Sequence, residues 1–217
     1  MNINNFSAGP SKISQSVIKE IAKDVIDYSN LGYSILELSH RSDEFSKIIN
    51  KTKHYLTEFL DIPSNFEIIF LQGGATFQNT FIPANNPEIN KDVVFLLSGT
   101  WGTKTFNDFN NYYNSTAPSI SLQNQPFDEV VDYVTNLKES YLYLTSNETI
   151  EGFQIKEFNK IKNKKLIIDM SSDICSYKFN WKNIAYVYAG AQKNLGIPGV
   201  TICIFEKEFS KVKNLPS

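Results

Sequence analysis

Seven short apolar runs follow one another along the chain, and their spacing limits the folds open to it. They cover Glu67 to Leu71, Asp92 to Leu97, Pro118 to Leu122 (the weakest), Ser140 to Thr145, Lys165 to Met170, Ile184 to Tyr188 and Val200 to Phe205. Helical patterns separate several of them, most plainly Phe127 to Lys138, which is the pattern of βα units and a largely parallel sheet. The last connection, Ala189 to Gly199, is too short to carry a crossover helix. The final strand is therefore expected to run antiparallel to the one before it. A chain of 217 residues can bury a substantial core around such a sheet. The expectation is an α/β fold, with helices on both faces of a mostly parallel seven-stranded sheet.

Two helices are expected upstream of the sheet. Gly9-Pro10 marks a turn, after which Ser14 opens a helical pattern with Val17, Ile18, Ile21, Ala22, Val25 and Ile26 on one face. Ser42, followed by Asp43 and Glu44, reads as an N-cap with acids in the first turn, where they complement the helix dipole. That helix would bury Phe45, Ile48, Ile49, Leu56, Phe59 and Leu60. Residues 1–13 are read as an N-terminal arm and 14–217 as one domain.

Composition excludes several functions. A net charge of −2 gives no bulk attraction to nucleic acid or to anionic membranes. No apolar run approaches a membrane span, and the N-terminus has no signal-peptide pattern. The two cysteines, Cys175 and Cys203, have no metal-ligand spacing and read as reduced cytoplasmic thiols. With two histidines, a catalytic metal site is not expected.

Two runs end on residues that carry chemistry. Lys193 stands in a glycine-bounded loop, Tyr188 to Thr201, between the last two strands. A lysine held among Ala, Gly, Leu and Ile loses solvent, which favours the nucleophilic amine, although a solvated loop lysine is the plain alternative. Asp169 ends the Lys165 to Met170 run. Ligands of open α/β sheets sit at the carboxyl ends of the strands, so Asp169 and Lys193 are expected to face one crevice. A Schiff-base lysine with an acid on a pyridinium nitrogen is the signature of pyridoxal phosphate enzymes.

Other residues have a plain reading beside a functional one. Gln72-Gly73-Gly74-Ala75-Thr76 closes a strand and opens a helix, a turn that can also admit a phosphate to backbone N–H groups. Trp101, just past a strand end, is either a core residue or a flat surface for a planar ligand. Thr149 is either a turn threonine or a hydroxyl ligand. The Arg41 guanidinium is a natural fork for a carboxylate or phosphate, with a surface arginine as the alternative.

The stretch Y-A-G-A-Q-K-N-L-G-I-P-G from Tyr188, with N-F-S-A-G-P from Asn5, E-L-S-H-R from Glu37, S-N-E-T-I-E-G from Ser146 and D-M-S-S from Asp169, resembles the phosphoserine aminotransferase family. These are class V, fold-type I pyridoxal phosphate enzymes. The resemblance runs from Asn5 to the last residue and implies a large domain whose sheet has one antiparallel strand. It implies pyridoxal 5'-phosphate bound through Lys193, with Asp169 on the pyridine nitrogen and Trp101 stacked on the ring. Thr149 would bond the ring oxygen, and Ala75, Thr76 and Gln192 would hold the phosphate. Where Thr76 stands some members carry arginine, so backbone and hydroxyl donors must serve.

Arg41, with His40, would face the acidic groups of the substrates. Those are glutamate as amino donor and 3-phosphohydroxypyruvate as acceptor, giving O-phospho-L-serine for serine biosynthesis, in a cytoplasmic homodimer. The resemblance also implies that Asn214 to Ser217 ends an incomplete large domain, with the small domain absent. Three readings follow: an aminotransferase completed by a C-terminal part, an inactive remnant that binds cofactor or a partner, and another class V enzyme. The His40-Arg41 and N-E-T-I matches disfavour the third.

Overall fold

The computed structural model describes residues 4–113, 118–122 and 126–209. The first three residues of the expected arm and the terminal Asn214 to Ser217 lie outside them. The chain forms two compact units, Met1–Ile62 and Pro63–Ser217.

In the first unit, α1 spans Gln15–Ile26 with the expected face, yet none of its residues is buried. Val17, Ile18 and Ile21 are each more than two-fifths exposed, at 47%, 42% and 42%. Spacing dictates a face; cover requires something packed on it. A 3₁₀ turn at Ile35–Glu37 follows, closed by a reciprocal cap in which Ser34 Oγ accepts from Leu36 N–H and Glu37 accepts from Ser34 N–H. Helix α2 spans Asp43–Leu60, and Ser42 Oγ accepts the Phe45 N–H at 3.2 Å as the cap residues predict. Leu56 and Leu60 are buried, but Phe59 is 54% exposed, contrary to expectation. It stands three residues past Leu56, on the flank of the apolar stripe that Leu60, four residues on, continues.

The second unit is built on a seven-stranded sheet. Its strands are β1 (Phe66–Gln72), β2 (Val93–Leu97), β3 (Ser119–Ser121), β4 (Tyr141–Thr145), β7 (Lys165–Asp169), β8 (Ile184–Gly190) and β9 (Val200–Glu206). A two-residue ribbon, β5 (Asn147–Glu148) against β6 (Phe153–Gln154), stands apart. The order is β1-β9-β8-β7-β4-β2-β3, and β9 alone runs against its neighbours. Each of the seven expected strands forms, and the short final connection has the predicted consequence. The helices are α3 (Gln78–Asn85), α4 (Thr100–Tyr113) and α5 (Phe127–Thr135).

Every residue of β8 is buried, which places it at the centre of the core. One sheet face carries Phe95, Tyr143, Ile167, Tyr186 and Tyr188, packed with Ile82 of α3 and Phe109 of α4. The residues that alternate with them, Val94, Leu96, Leu142, Leu144, Leu166 and Ile168, are as deeply buried. A strand buried on both faces reads as a continuous apolar run, which explains the legibility of these strands. Among the described residues no helix is long and apolar enough to cross a membrane.

Candidate active site

Five parallel strands, β1, β8, β7, β4 and β2, point their carboxyl ends to one edge of the sheet. The residues with chemistry follow those ends in turn. Ala75 and Thr76 come after β1, Trp101 after β2, Thr149 after β4, Asp169 at the end of β7, and Gln192 and Lys193 after β8. This is the edge where open α/β sheets bind ligands.

Asp169 pairs in register with Tyr188 across β7 and β8, so their side chains share a face. Its Oδ1 accepts the Ser171 N–H at 2.8 Å, and the carboxyl also bonds the Tyr188 hydroxyl. Burial holds this carboxyl above the usual carboxylate range, partly offset by the Ser171 and Tyr188 bonds and by the Lys193 ammonium. Tyr188, fully buried, receives the Tyr143 hydroxyl at 3.1 Å. Burial and the neighbouring Asp169 push the Tyr188 phenol up, so it remains a donor to Asp169 at any ordinary pH.

Lys193 is half-buried, and its Nζ lies 5.4 Å from the centre of the Trp101 ring, within cation–π range. The indole N–H of Trp101 donates to Thr149 Oγ1 at 3.0 Å. Thr149, Trp101 and Lys193 are thus linked by successive contacts on one edge, and the Lys193 charge acts on Asp169.

The loop after β1 is fixed by the chain entering the neighbouring strand, β9. Gly73 N–H donates to the Gly199 carbonyl at 3.1 Å, and the Thr201 hydroxyl donates to the Gly73 carbonyl at 3.0 Å. At φ +92° and with the Phe77 ring 2.8 Å from where a Cβ would stand, position 73 strongly favours glycine. Ala75 and Thr76 then open a 3₁₀ turn leading into α3, Ala75 against the core and Thr76 exposed. First-turn N–H groups have no partner within their own turn. The Gln192 side chain folds back over Gly190, its Oε1 2.7 Å from where a Cβ there would lie.

The family model for Aminotransferase class-V matches residues 3–214. The chain belongs to this family. A phosphoserine aminotransferase from Halalkalibacterium halodurans is 38% identical over 210 residues, 95% of this chain and 58% of its own. A solved phosphoserine aminotransferase from Bacillus circulans subsp. alkalophilus superposes with a TM-score of 0.80 at 34% identity, over 94% of this chain and 57% of that one. The PLP-bound phosphoserine aminotransferase from Trichomonas vaginalis gives 0.83 at 31%, over 98% and 64%. The chain thus spans about three-fifths of the length of these relatives.

This class-V aminotransferase chain carries His40 and Arg41 in its first unit, both exposed in the turn before α2, with the Arg41 N–H bonded to Ser39 Oγ at 3.2 Å. Three residues bonded to these candidates went unread in the sequence. Tyr188 and Tyr143 sit inside apolar runs, where the available signal is that a buried tyrosine needs a partner for its hydroxyl. Glu148, fully buried, lies in the same N-E-T-I stretch as Thr149. A glutamate beside a strand end has no spacing signature of its own.

Proposed function

We propose that this chain supplies the cofactor-binding part of a pyridoxal phosphate-dependent aminotransferase that moves an amino group from glutamate to 3-phosphohydroxypyruvate, yielding O-phospho-L-serine. The observation that carries the reading is the convergence of Asp169, Lys193 and Trp101 on one sheet edge, with Lys193 Nζ 5.4 Å from the Trp101 ring centre. The donor set fits the cofactor. An amine, a carboxylate for a ring nitrogen, a flat indole and the Thr149 hydroxyl stand together, as a charged, planar, phosphorylated pyridine requires. When bound, pyridoxal phosphate supplies an electron sink for charge that develops at a substrate's α-carbon.

In this reading Lys193 holds the cofactor through its amine and, once freed, carries a proton at the α-carbon. Asp169 keeps a proton on the ring nitrogen, and Tyr188 and Ser171 keep Asp169 aimed. Trp101 stacks on the ring, Thr149 bonds its oxygen, and Ala75, Thr76 and Gln192 receive the phosphate. Arg41, with His40, takes an acidic group of the substrate. The free thiols of Cys175 and Cys203 support a reducing, cytoplasmic location, and the homodimer is carried over from the family resemblance alone. The test is borohydride reduction of the chain mixed with pyridoxal phosphate, followed by peptide mapping. The pyridoxyl label is expected on Lys193; a label on another lysine, or none, overturns the assignment.

A further inference from the structure

The first turn of α4 is capped by a carboxylate that belongs to a different element. Glu148 Oε2 accepts the Trp101 N–H at 2.9 Å, while Oε1 accepts the Gly102 N–H at 2.8 Å and the Ser98 hydroxyl at 3.3 Å. The next residue, Thr149, accepts the Trp101 indole N–H. Two consecutive residues, Glu148 at the end of β5 and Thr149 just after it, therefore hold one tryptophan at both ends, by its backbone and by its ring. Core packing does not do this work, because Trp101 is 37% exposed.

We infer that Glu148 is a positioning residue that presets the Trp101 ring at Lys193. The role rests on the proposed function only for what the ring stacks on; the clamp itself is made by the chain's own residues. The chemistry requires a carboxylate. Three donors converge on Glu148, and an ionised carboxylate is acceptor-only. A glutamine in its place would turn an NH₂ toward at least one of those donors. Gly99 makes room, since a Cβ there would come within 2.8 Å of the Glu148 carboxyl carbon. Presetting the ring removes the cost of immobilising it when a planar ligand arrives.

A control is built into the same turn. Glu151 also caps α4, accepting the Thr100 N–H at 2.9 Å and the Thr100 hydroxyl at 2.5 Å, but it makes no bond to Trp101. Loss of Glu151 weakens the helix end without releasing the ring.

The experiment labels the full chain with 5-fluorotryptophan, giving one fluorine resonance for Trp101 and one for Trp181, assigned with Trp101→Phe. In the cofactor-free chain, Glu148→Gln is expected to narrow the Trp101 resonance and move it toward the free amino-acid position. The Trp181 resonance should stay in place, and Glu151→Ala should move neither. Thr149→Val should shift the Trp101 resonance in the same sense, and it carries the comparison if Glu148→Gln fails to fold. Titration with pyridoxal phosphate should then show the dissociation constant of the clamp variant raised about three- to tenfold, the cost of ordering one side chain at binding. An unchanged Trp101 resonance in a folded clamp variant overturns the inference, as does equal movement of both resonances. Failure of the parent chain to bind pyridoxal phosphate counts against the proposed function and leaves the fluorine comparison standing.

Discussion

Charge on Asp169 comes at some expense to the fold. Its carboxyl is raised by burial, so across the interval between its unfolded and folded pKa the native chain binds more protons than the unfolded one. Such a group weakens the fold above its folded pKa, and the loss is relieved as the pH falls through that value. Asp169→Asn is therefore expected to raise the thermal midpoint of the cofactor-free chain at neutral pH, with the gain shrinking toward acid. Melting curves across that range check it, and equal midpoints at neutral pH would contradict the account. With cofactor supplied, the same substitution should cost about 10²- to 10³-fold in the rate of proton removal from an amino-acid donor, because an amide cannot hold charge on a ring nitrogen. Single-turnover rates report it. A stability gain paired with a catalytic loss is what separates a site residue from a structural one.

At the scale of elements, the loop after β7 is secured by a buried acid. Asp173 accepts from the Ser146 hydroxyl at 2.5 Å, the Gln154 amide at 3.0 Å and the Tyr177 hydroxyl at 3.1 Å, joining the end of β4, the ribbon and its own turn. Ser146 in turn donates its N–H to the Asp169 carbonyl at 2.9 Å. Asp173→Ala removes an acceptor shared by one buried and two part-buried donors, at about 1–3 kcal/mol for each left unpaired before relaxation. A loss of roughly 3 kcal/mol or more in urea unfolding is expected, and a loss below about 1 kcal/mol would show that the network is dispensable. Such ties explain what the sequence hides. The strands and the Asp169 and Lys193 positions were legible because burial on both faces writes continuous apolar runs that end on polar residues. The ribbon β5–β6, two residues to a strand, is too short to carry a period, and the Glu148 cap acts across 46 positions of sequence. Even the well-patterned α1 announced its apolar face without showing that the face is uncovered.

For the molecule as a whole, the decisive scarcity is arginine. Arg41 is the only one in the sequence, whereas the proposed acceptor, 3-phosphohydroxypyruvate, presents two acidic ends. Guanidinium is the planar, bidentate match for carboxylate and phosphate, and a lysine in its place offers a point charge without the fork. Each charge-assisted bond that is not made costs roughly 1.5–3 kcal/mol, or about ten- to a hundredfold in binding. The cofactor side has no such deficit, because Ala75, Thr76, Trp101, Thr149, Asp169, Gln192 and Lys193 all follow strand ends within one unit. Cofactor capture and turnover should therefore separate in the 217-residue chain assayed by itself. It should take up pyridoxal phosphate on Lys193, yet show a kcat/KM for 3-phosphohydroxypyruvate at least about a hundredfold below that of the Halalkalibacterium halodurans relative. A glutamate-dependent coupled assay, run with and without a separate polypeptide carrying the part of that relative this chain does not match, measures the difference. Turnover by the chain alone at the relative's rate would refute the argument, while activity that appears only on addition would assign the missing substrate contacts to the added piece.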